Sequence, residues 1–258
     1  MNESIKRLRV FAGPNGSGKS TLYNYLTQIK AFNSYYHINP DSIMNDLTVS
    51  LNLDNWPIDF SYTELEHFLN ESPFQNMVEF TFSDAIVYQE GGISLKDISF
   101  VNNSYLAAAI AEFLRIKMLQ SDSSFSLESV FSHISKINEL ENAKKANFRI
   151  YLYFITTSDP LINLQRVRNR VKSGGHNVPE DKIQARYSRT MKNLYSAFKL
   201  ADRAYFFDNS REKTNGFFEF FAEKNDKYLT LFDENPLPQW FIEYILDHLI
   251  EEIEKPDI

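Results

Sequence analysis

Apolar positions along the chain follow two periods, one typical of buried strands and one typical of helices. Short apolar runs rich in β-branched and aromatic residues predict strands, and they lie at 8–12, 35–38, 125–131, 148–155 and 204–208. Apolar residues at helical spacing lie between these runs, at about 22–29, 105–119, 134–140, 160–173 and 179–200. The alternation predicts an α/β fold in which a parallel sheet is covered by helices on both faces.

Two segments stand apart from this alternation. Residues from about 47 to 103 are aromatic and acidic, and within them Ser61–Glu64 forms a capping box that predicts one short helix. We interpret 47–103 as a subdomain inserted into a single domain that spans 1–258. The stretch 238–253, PQWFIEYILDHLIEEI, is amphipathic and predicts a packing helix.

Composition narrows the classes of function. The chain has no cysteine, which excludes disulfides, thiolate zinc sites and a cysteine nucleophile. Its formal net charge of −7 argues against nonspecific binding to nucleic acid, which requires positive charge over the phosphates. No apolar run reaches the length of a membrane span, and the N-terminus lacks the apolar core of a signal peptide. We therefore expect a cytoplasmic protein without a nucleic-acid or membrane partner.

The stretch Gly13–Ser20 reads GPNGSGKS and satisfies the pattern G-x-x-x-x-G-K-[ST] between a predicted strand and a predicted helix. Glycines let consecutive main-chain amides turn inward around an anion, and the new helix adds its unpaired N–H groups. Lys19 can reach the β- and γ-phosphates, the Ser20 hydroxyl can ligate Mg²⁺, and Thr21 is placed for an α-phosphate. The pattern predicts a P-loop NTPase that binds ATP and Mg²⁺. The predicted binding residues are Gly13, Asn15, Gly16, Ser17, Gly18, Lys19, Ser20 and Thr21.

Asp41 follows the second predicted strand, at the edge of the sheet where ligands bind in open α/β folds. A carboxylate there can accept the proton of an acceptor hydroxyl or orient that hydroxyl during phosphoryl transfer. The sequence NPDSI also reads as a helix start, so position alone leaves open whether Asp41 is a catalytic base or a helix cap.

Arginines cluster on the two predicted helices between about 160 and 200, which a glycine-containing turn, SGGHNVPED, joins. Arg166 and Arg170 share one helix face, and Arg186 and Arg189 share a face of the next helix. This is the layout of a lid that brings guanidinium groups to a transferring phosphoryl group on closure. A solvated helical hairpin is the alternative. The predicted lid residues are Arg166, Arg170, His176, Arg186 and Arg189, with His176 serving the structure of the turn or contacting a phosphate.

Glu128 lies at or near the end of the third predicted strand. Its carboxylate is suited to binding acceptor hydroxyls or to holding a water on Mg²⁺. A surface glutamate without a role is the alternative, and the sequence does not decide among the three.

Five stretches together resemble the zeta-toxin family of P-loop kinases, whose members are often labelled predicted ABC-type ATPases. They cover about two thirds of the chain, roughly 5–46 and 104–212, and the stretch GGHNVPE with the following Ile-x-x-Arg-Tyr is the most diagnostic. In chain order they are FAGPNGSGKSTL, INPDSI, SFSLESVFS, SGGHNVPEDKIQARYSRTMKNL and ADRAYFFDNS.

The resemblance implies a kinase that moves the γ-phosphate of ATP to a hydroxyl of a UDP-activated amino sugar, typically UDP-N-acetylglucosamine. Carried over by position, Asp41 matches the catalytic base and Lys19 the P-loop lysine. Glu128 matches an acid that binds the acceptor, and Arg170 and Arg186 match the lid arginines. Toxins of the family are often held inactive by a small helical antitoxin, so the resemblance also implies such a partner.

The chain departs from the family pattern in its insertion of about 55 residues and at several single positions. Position 185 is Ala where the family commonly has a basic residue, and Val130, Phe131 and His133 differ from the usual threonine-, leucine- and glycine-rich continuation. These departures leave the identity of the acceptor open.

Three other functions are compatible with the glycine loop. One is an ATPase or nucleotide switch that acts on a protein partner, although the chain has no LSGGQ-like signature. Another is a kinase with a different acceptor, such as a nucleoside. The third is a degenerate member that only binds nucleotide, against which the intact Lys19, Asp41 and Arg186 argue.

Overall fold

The computed structural model describes residues 5–33, 36–89, 91–101, 103–173, 178–211, 218–232 and 236–254. The chain divides into two compact units. The first combines Met1–Ser34 with Ser126–Ile258, and the second is Tyr35–Phe125. The predicted insertion at 47–103 lies inside the second unit, and the assignment of one domain to 1–258 stays a prediction.

Ten strands and ten α-helices occur within the described ranges. The strands are β1 (Arg7–Ala12), β2 (His37–Ile38), β3 (Leu51–Asn52), β4 (Ile86–Gln89), β5 (Gly92–Leu95), β6 (Phe125–Ser129), β7 (Arg149–Thr156), β8 (Arg203–Asp208), β9 (Glu219–Asn225) and β10 (Tyr228–Leu231). The α-helices are α1 (Lys19–Gln28), α2 (Pro40–Asp46), α3 (Tyr62–Glu71), α4 (Phe82–Ala85), α5 (Ser104–Gln120), α6 (Ser135–Lys145), α7 (Pro160–Lys172), α8 (Glu180–Leu200), α9 (Gln239–Phe241) and α10 (Asp247–Glu254). Short 3₁₀ helices occupy Pro73–Met77 and Ile98–Phe100, and a π-helical turn, Ile242–Leu246, joins α9 to α10.

The sheet of the first unit has the strand order β10-β9-β8-β7-β1-β6. Strands β1, β7 and β8 run parallel, with Val10 opposite Leu152 and Leu152 opposite Ala204. Strands β9 and β10 are antiparallel to their neighbours. The predicted α/β class with a mainly parallel sheet is therefore confirmed, and the antiparallel β9–β10 hairpin is an addition that the sequence analysis did not predict.

Both faces of this sheet carry helices. Successive side chains of each strand point to opposite faces, and both faces carry apolar residues that helices bury. On one face Phe206 contacts Phe198 of α8 and Phe241 of α9. On the other face Phe11 and Tyr153 stack with ring centroids 4.7 Å apart and pack with Leu22 of α1. The predicted covering by helices on both faces is thus confirmed.

The second unit contains a small antiparallel sheet of order β3-β5-β4 together with α2 to α5. Its α3 is the helix that the capping box predicts, and the Ser61 hydroxyl accepts a hydrogen bond of 3.1 Å from the Glu64 amide. Helix α2 packs against α5, a helix whose apolar residues are buried almost all round. Within the described ranges, no helix has both the length and the apolar character required to cross a bilayer.

Candidate functional site

The glycine loop joins the end of β1 to the start of α1, and its three glycines have positive φ angles. These angles are 152° at Gly13, 76° at Gly16 and 104° at Gly18. A Cβ atom at Gly16 would lie 2.6 Å from the carbonyl oxygen of Asn163, and one at Gly18 would lie 2.7 Å from Nδ2 of Asn209. A Cβ atom at Gly13 would overlap the carbonyl oxygen of Ile155. The loop therefore needs glycine for its backbone angles and also because three other segments press against it.

The loop ends in a helix start suited to an anion. Gly18 is the N-cap of α1, no side chain caps that end, and the first turn holds no acidic residue. The positive end of the helix dipole therefore meets no carboxylate of its own first turn. Ser17 is fully buried, and its Oγ has no hydrogen-bond partner within the described part of the chain. The Lys19 Nζ atom donates to the carbonyl oxygens of Gly13 and Pro14 at 3.0 Å each, which folds the ammonium back over the loop.

Glu128 meets the glycine loop directly. It lies near the end of β6, its side chain is 7% exposed, and its Oε2 atom accepts a hydrogen bond of 2.8 Å from the Ser20 hydroxyl. The reading of Glu128 as an isolated surface glutamate is wrong. The pair places a hydroxyl and a carboxylate together, and Mg²⁺ prefers such oxygen ligands.

Helix α7 lies against the other side of the loop. Asn163 is fully buried, its Nδ2 donates to the carbonyl oxygen of Asn15 at 2.7 Å, and its Oδ1 accepts from the Thr157 hydroxyl. Arg166 and Arg170 follow Asn163 at helical spacing and share its face of α7. Arg166 is half-buried and Arg170 is exposed.

Helix α8 is attached to the end of β7 and to the residues after β6. The Tyr187 hydroxyl donates to the carbonyl oxygen of Thr157 at 2.6 Å. Burial raises the pKa of Tyr187 to about 12, so the hydroxyl keeps its proton at neutral pH. Arg186 is half-buried. Arg189 is exposed, and its Nε donates to the carbonyl oxygen of Ser132 at 3.2 Å.

The two arginine-bearing helices share a small apolar core. Leu164 and Val167 of α7 pack with Val178 and Ile183. Arg168 points away from this core and pairs with Glu180 at 2.6 Å on the exposed side. The predicted turn residue His176 lies outside the described residues.

Asp41 belongs to the second unit and sits in the first turn of α2. Asn39 caps that helix, because its Oδ1 accepts from the Asp41 amide at 2.9 Å, and Pro40 occupies the first helical position. The Asp41 side chain is exposed. The helix cap that the sequence analysis left as an alternative for Asp41 is thus supplied by Asn39.

Several residues around the loop were missed by sequence reasoning. Asn209 follows β8, and its Nδ2 donates to the carbonyl oxygen of Ser17 at 2.8 Å. Thr157, Asn163, Thr190 and Asn193 likewise hold main-chain groups near the loop or after β6. Thr190, Asn193 and Asn209 lie within stretches that carry the family resemblance, but sequence reasoning assigned no role to them, because their contacts join distant segments of the chain.

Comparison with known proteins yields a similarity of fold. A chain of the AvrRxo1-ORF1:AvrRxo1-ORF2 crystal structure with sulphate ions has a TM-score of 0.51 and 14% identity over 98% of this chain and 65% of that chain. The corresponding structure with ATP gives the same TM-score, identity and coverage. This chain shares their fold.

Other similarities are more limited. A structure of the PezAT toxin–antitoxin system of Streptococcus pneumoniae has a TM-score of 0.48 and 13% identity over 98% of this chain and 87% of that chain. An uncharacterized protein of Haemophilus influenzae is 41% identical over 63 residues, which is 24% of this chain and 45% of that protein. The chain thus spans less than half of the Haemophilus protein and less than two thirds of the AvrRxo1 chains. No protein-family model matches the chain.

Proposed function

We propose that the protein is a toxin-type P-loop kinase that transfers the γ-phosphate of ATP to a hydroxyl of a UDP-amino sugar resembling UDP-N-acetylglucosamine. The observation that carries the proposal is the hydrogen bond of 2.8 Å between Ser20 and Glu128 beside an uncapped, glycine-bearing helix start. The fold similarity to a structure determined with ATP supports the nucleotide. The acceptor follows from the resemblance of the sequence motifs to zeta toxins.

The residues of the loop fit a triphosphate with Mg²⁺. The buried Ser17 hydroxyl and the uncapped start of α1 supply donors for phosphate oxygens, and Lys19 supplies a positive charge. Ser20 would ligate Mg²⁺, and Glu128 would hold a water of its shell. When bound, Mg²⁺ would neutralise the negative charge that develops on the phosphate oxygens during transfer.

The remaining residues would orient the acceptor and stabilise the transferring group. In the proposed reaction the bond between the γ-phosphorus and the bridging oxygen breaks, ADP leaves, and the acceptor oxygen forms the new bond to phosphorus. Asp41 would take the proton of the acceptor hydroxyl. Arg170 and Arg186 would neutralise the phosphoryl oxygens, because guanidinium groups bind such oxygens in pairs of hydrogen bonds. A small helical antitoxin is the proposed partner, by the same resemblance.

The test is a transfer assay. Purified protein with ATP, Mg²⁺ and UDP-N-acetylglucosamine is expected to yield a sugar nucleotide heavier by one phosphate, detected by mass spectrometry. Asp41→Asn is expected to abolish this product and retain ATP binding, whereas Asp46→Asn, at the other end of α2, is expected to retain both. If the rate of ADP release does not change with any added sugar nucleotide, the result would favour an ATPase that acts on a protein partner.

A further inference from the structure

The turn that follows β6 is held by its carbonyl oxygens. The Gly13 amide donates to Ser129 O at 3.3 Å, and side chains of α8 bind the next three carbonyls in the chain. Thr190 Oγ1 lies 2.6 Å from Val130 O, Asn193 Nδ2 lies 2.9 Å from Phe131 O, and Arg189 Nε lies 3.2 Å from Ser132 O. Four consecutive carbonyls of this 129–132 turn therefore connect the glycine loop with α8.

The turn is also strained. Phe131 has a φ angle of 62° and is 3% exposed. A bulky L-residue in the left-handed region costs of order 1–3 kcal/mol, and it persists only when its surroundings enforce it. The three α8 side chains and the Ser129 hydroxyl, which accepts from the Phe131 amide at 3.1 Å, supply that enforcement. Such strain is expected where the position of the backbone matters.

The Thr190 hydroxyl links this turn to Arg186. Thr190 is fully buried, and its Oγ1 lies 2.7 Å from the carbonyl oxygen of Arg186 as well as 2.6 Å from that of Val130. A hydroxyl has one proton, so the two carbonyls share it. One side chain therefore joins the backbone of a lid arginine to the turn that begins directly after Glu128.

We propose that Thr190 and Asn193 are positioning residues for phosphoryl transfer. They hold the 129–132 turn, and thereby fix Glu128 against Ser20 and set the distance from that pair to Arg186. This inference rests on the proposed kinase function.

The decisive variant is Thr190→Val, which keeps the shape of the side chain and removes the hydroxyl. We expect kcat to fall about tenfold or more, since small misplacements of catalytic groups have effects of this order, while KM for ATP changes less than about twofold. Thr190→Ser is expected to restore kcat. The matched control is Thr27→Val, because the Thr27 hydroxyl also bonds the carbonyl four residues earlier, Tyr23 O, but in the last turn of α1.

A double-mutant cycle separates positioning from loss of structure. If Thr190 acts through Glu128, the fall in kcat of the double variant Thr190→Val, Glu128→Gln is expected to be smaller than the product of the two single falls. General destabilisation would give the full product, which is additivity in activation free energy. Should Thr190→Val fail to fold by circular dichroism, Asn193→Ala carries the same cycle.

The outcomes distinguish the two hypotheses. If the unmodified protein transfers no phosphate to any sugar nucleotide, the proposed function is wrong. If the unmodified protein is active, and folded Thr190→Val and Asn193→Ala both keep full kcat or act additively with Glu128→Gln, the positioning role is wrong.

Discussion

At the scale of single residues, the glycine loop is constrained from outside as well as from within. Gly16 combines a φ angle of 76° with a close approach to the backbone of α7. A side chain there would strain the loop and push on Asn163. The residue thus reflects two demands, a backbone conformation and the packing of a neighbouring helix, of which only the first can be inferred from a motif.

We expect Gly16→Ala to lower the free energy of unfolding by about 1–3 kcal/mol and to weaken ATP binding, because both the φ angle and the contact with Asn163 O disfavour a Cβ atom. Urea unfolding and calorimetric titration with ATP measure the two effects. Asn24→Ala, at an exposed position of α1, is the control. An unchanged midpoint would show that the loop can relax around the methyl group.

Glu128 gives a second prediction at this scale. If it holds a water on Mg²⁺, Glu128→Gln should raise the Mg²⁺ concentration needed for half-maximal turnover and leave KM for the sugar nucleotide unchanged. If it binds the acceptor instead, KM for the sugar nucleotide should rise at saturating Mg²⁺. Titrations of both components decide between the roles, with Glu141→Gln on the exposed side of α6 as the control.

At the scale of elements, α7 and α8 support the glycine loop through buried amide and hydroxyl groups. Asn163 binds Asn15 O, and Tyr187 and Asn163 both engage Thr157. The start of α7 is thus attached to the loop, and α8 is attached to the residue that follows β7.

We expect Asn163→Ala to weaken ATP binding and to lower the free energy of unfolding by about 1–3 kcal/mol, because it removes the Asn163 donor from the part-buried Asn15 carbonyl and the Asn163 acceptor from the buried Thr157 hydroxyl. Asn169→Ala on the exposed face of the same helix should change neither quantity by more than about 0.5 kcal/mol. Equal effects of the two substitutions would argue against a specific role for the Asn163 amide.

The pattern of the sequence predicted those elements whose periodicity is long and uninterrupted. The strand at 148–155 became β7, and the helix at 105–119 became α5. Strands β3, β4 and β5 have two to four residues each, too few to show an alternation, so the small sheet of the second unit was not predicted. The hairpin of β9 and β10 was also missed.

The site was predictable where one short motif specifies it. Gly13–Ser20 contains its own signature, whereas the Ser20–Glu128 pair joins residues far apart in the chain and depends on the order of strands in the sheet. For Glu128 the sequence supplied three readings, and the hydrogen bond removed one of them. The roles of Asp41, Arg170 and Arg186 stay predictions.

At the scale of the whole molecule, Asp202 connects several parts of the first unit. Its carboxylate accepts from Lys144 Nζ of α6 and from the Ile150 amide of β7, both at 2.7 Å, and its carbonyl accepts from the Asp226 amide at 2.8 Å. Partial burial opposes ionisation, but the hydrogen bonds from Lys144 and the Ile150 amide outweigh it and lower the pKa of Asp202. The ionised carboxylate is therefore favoured in the folded state.

A lowered folded-state pKa stabilises the protein above the pKa of the unfolded chain, about 3.9, and this contribution is lost as the pH falls through the lower folded value. We expect Asp202→Asn to lower the free energy of unfolding by about 1–2 kcal/mol at pH 7 and to change it little at about pH 2. The range at pH 7 is reduced because solvent screens the partly exposed Lys144. Urea unfolding at both values measures the difference, with Asp59→Asn at an exposed position as the control. A cost independent of pH would contradict the role assigned to the carboxylate charge.

The second unit interrupts the first in the order of synthesis, because residues 35–125 follow α1 and precede β7. Strand β1 pairs with β7, so Arg7 cannot pair with Arg149 until Arg149 has left the ribosome. The glycine loop leaves the exit tunnel early but acquires its contacts with Ile155, Asn163 and Asn209 only after these later residues have been translated. We therefore expect the nucleotide site proposed for the loop to form only after residue 209 has left the ribosome, long after the loop itself.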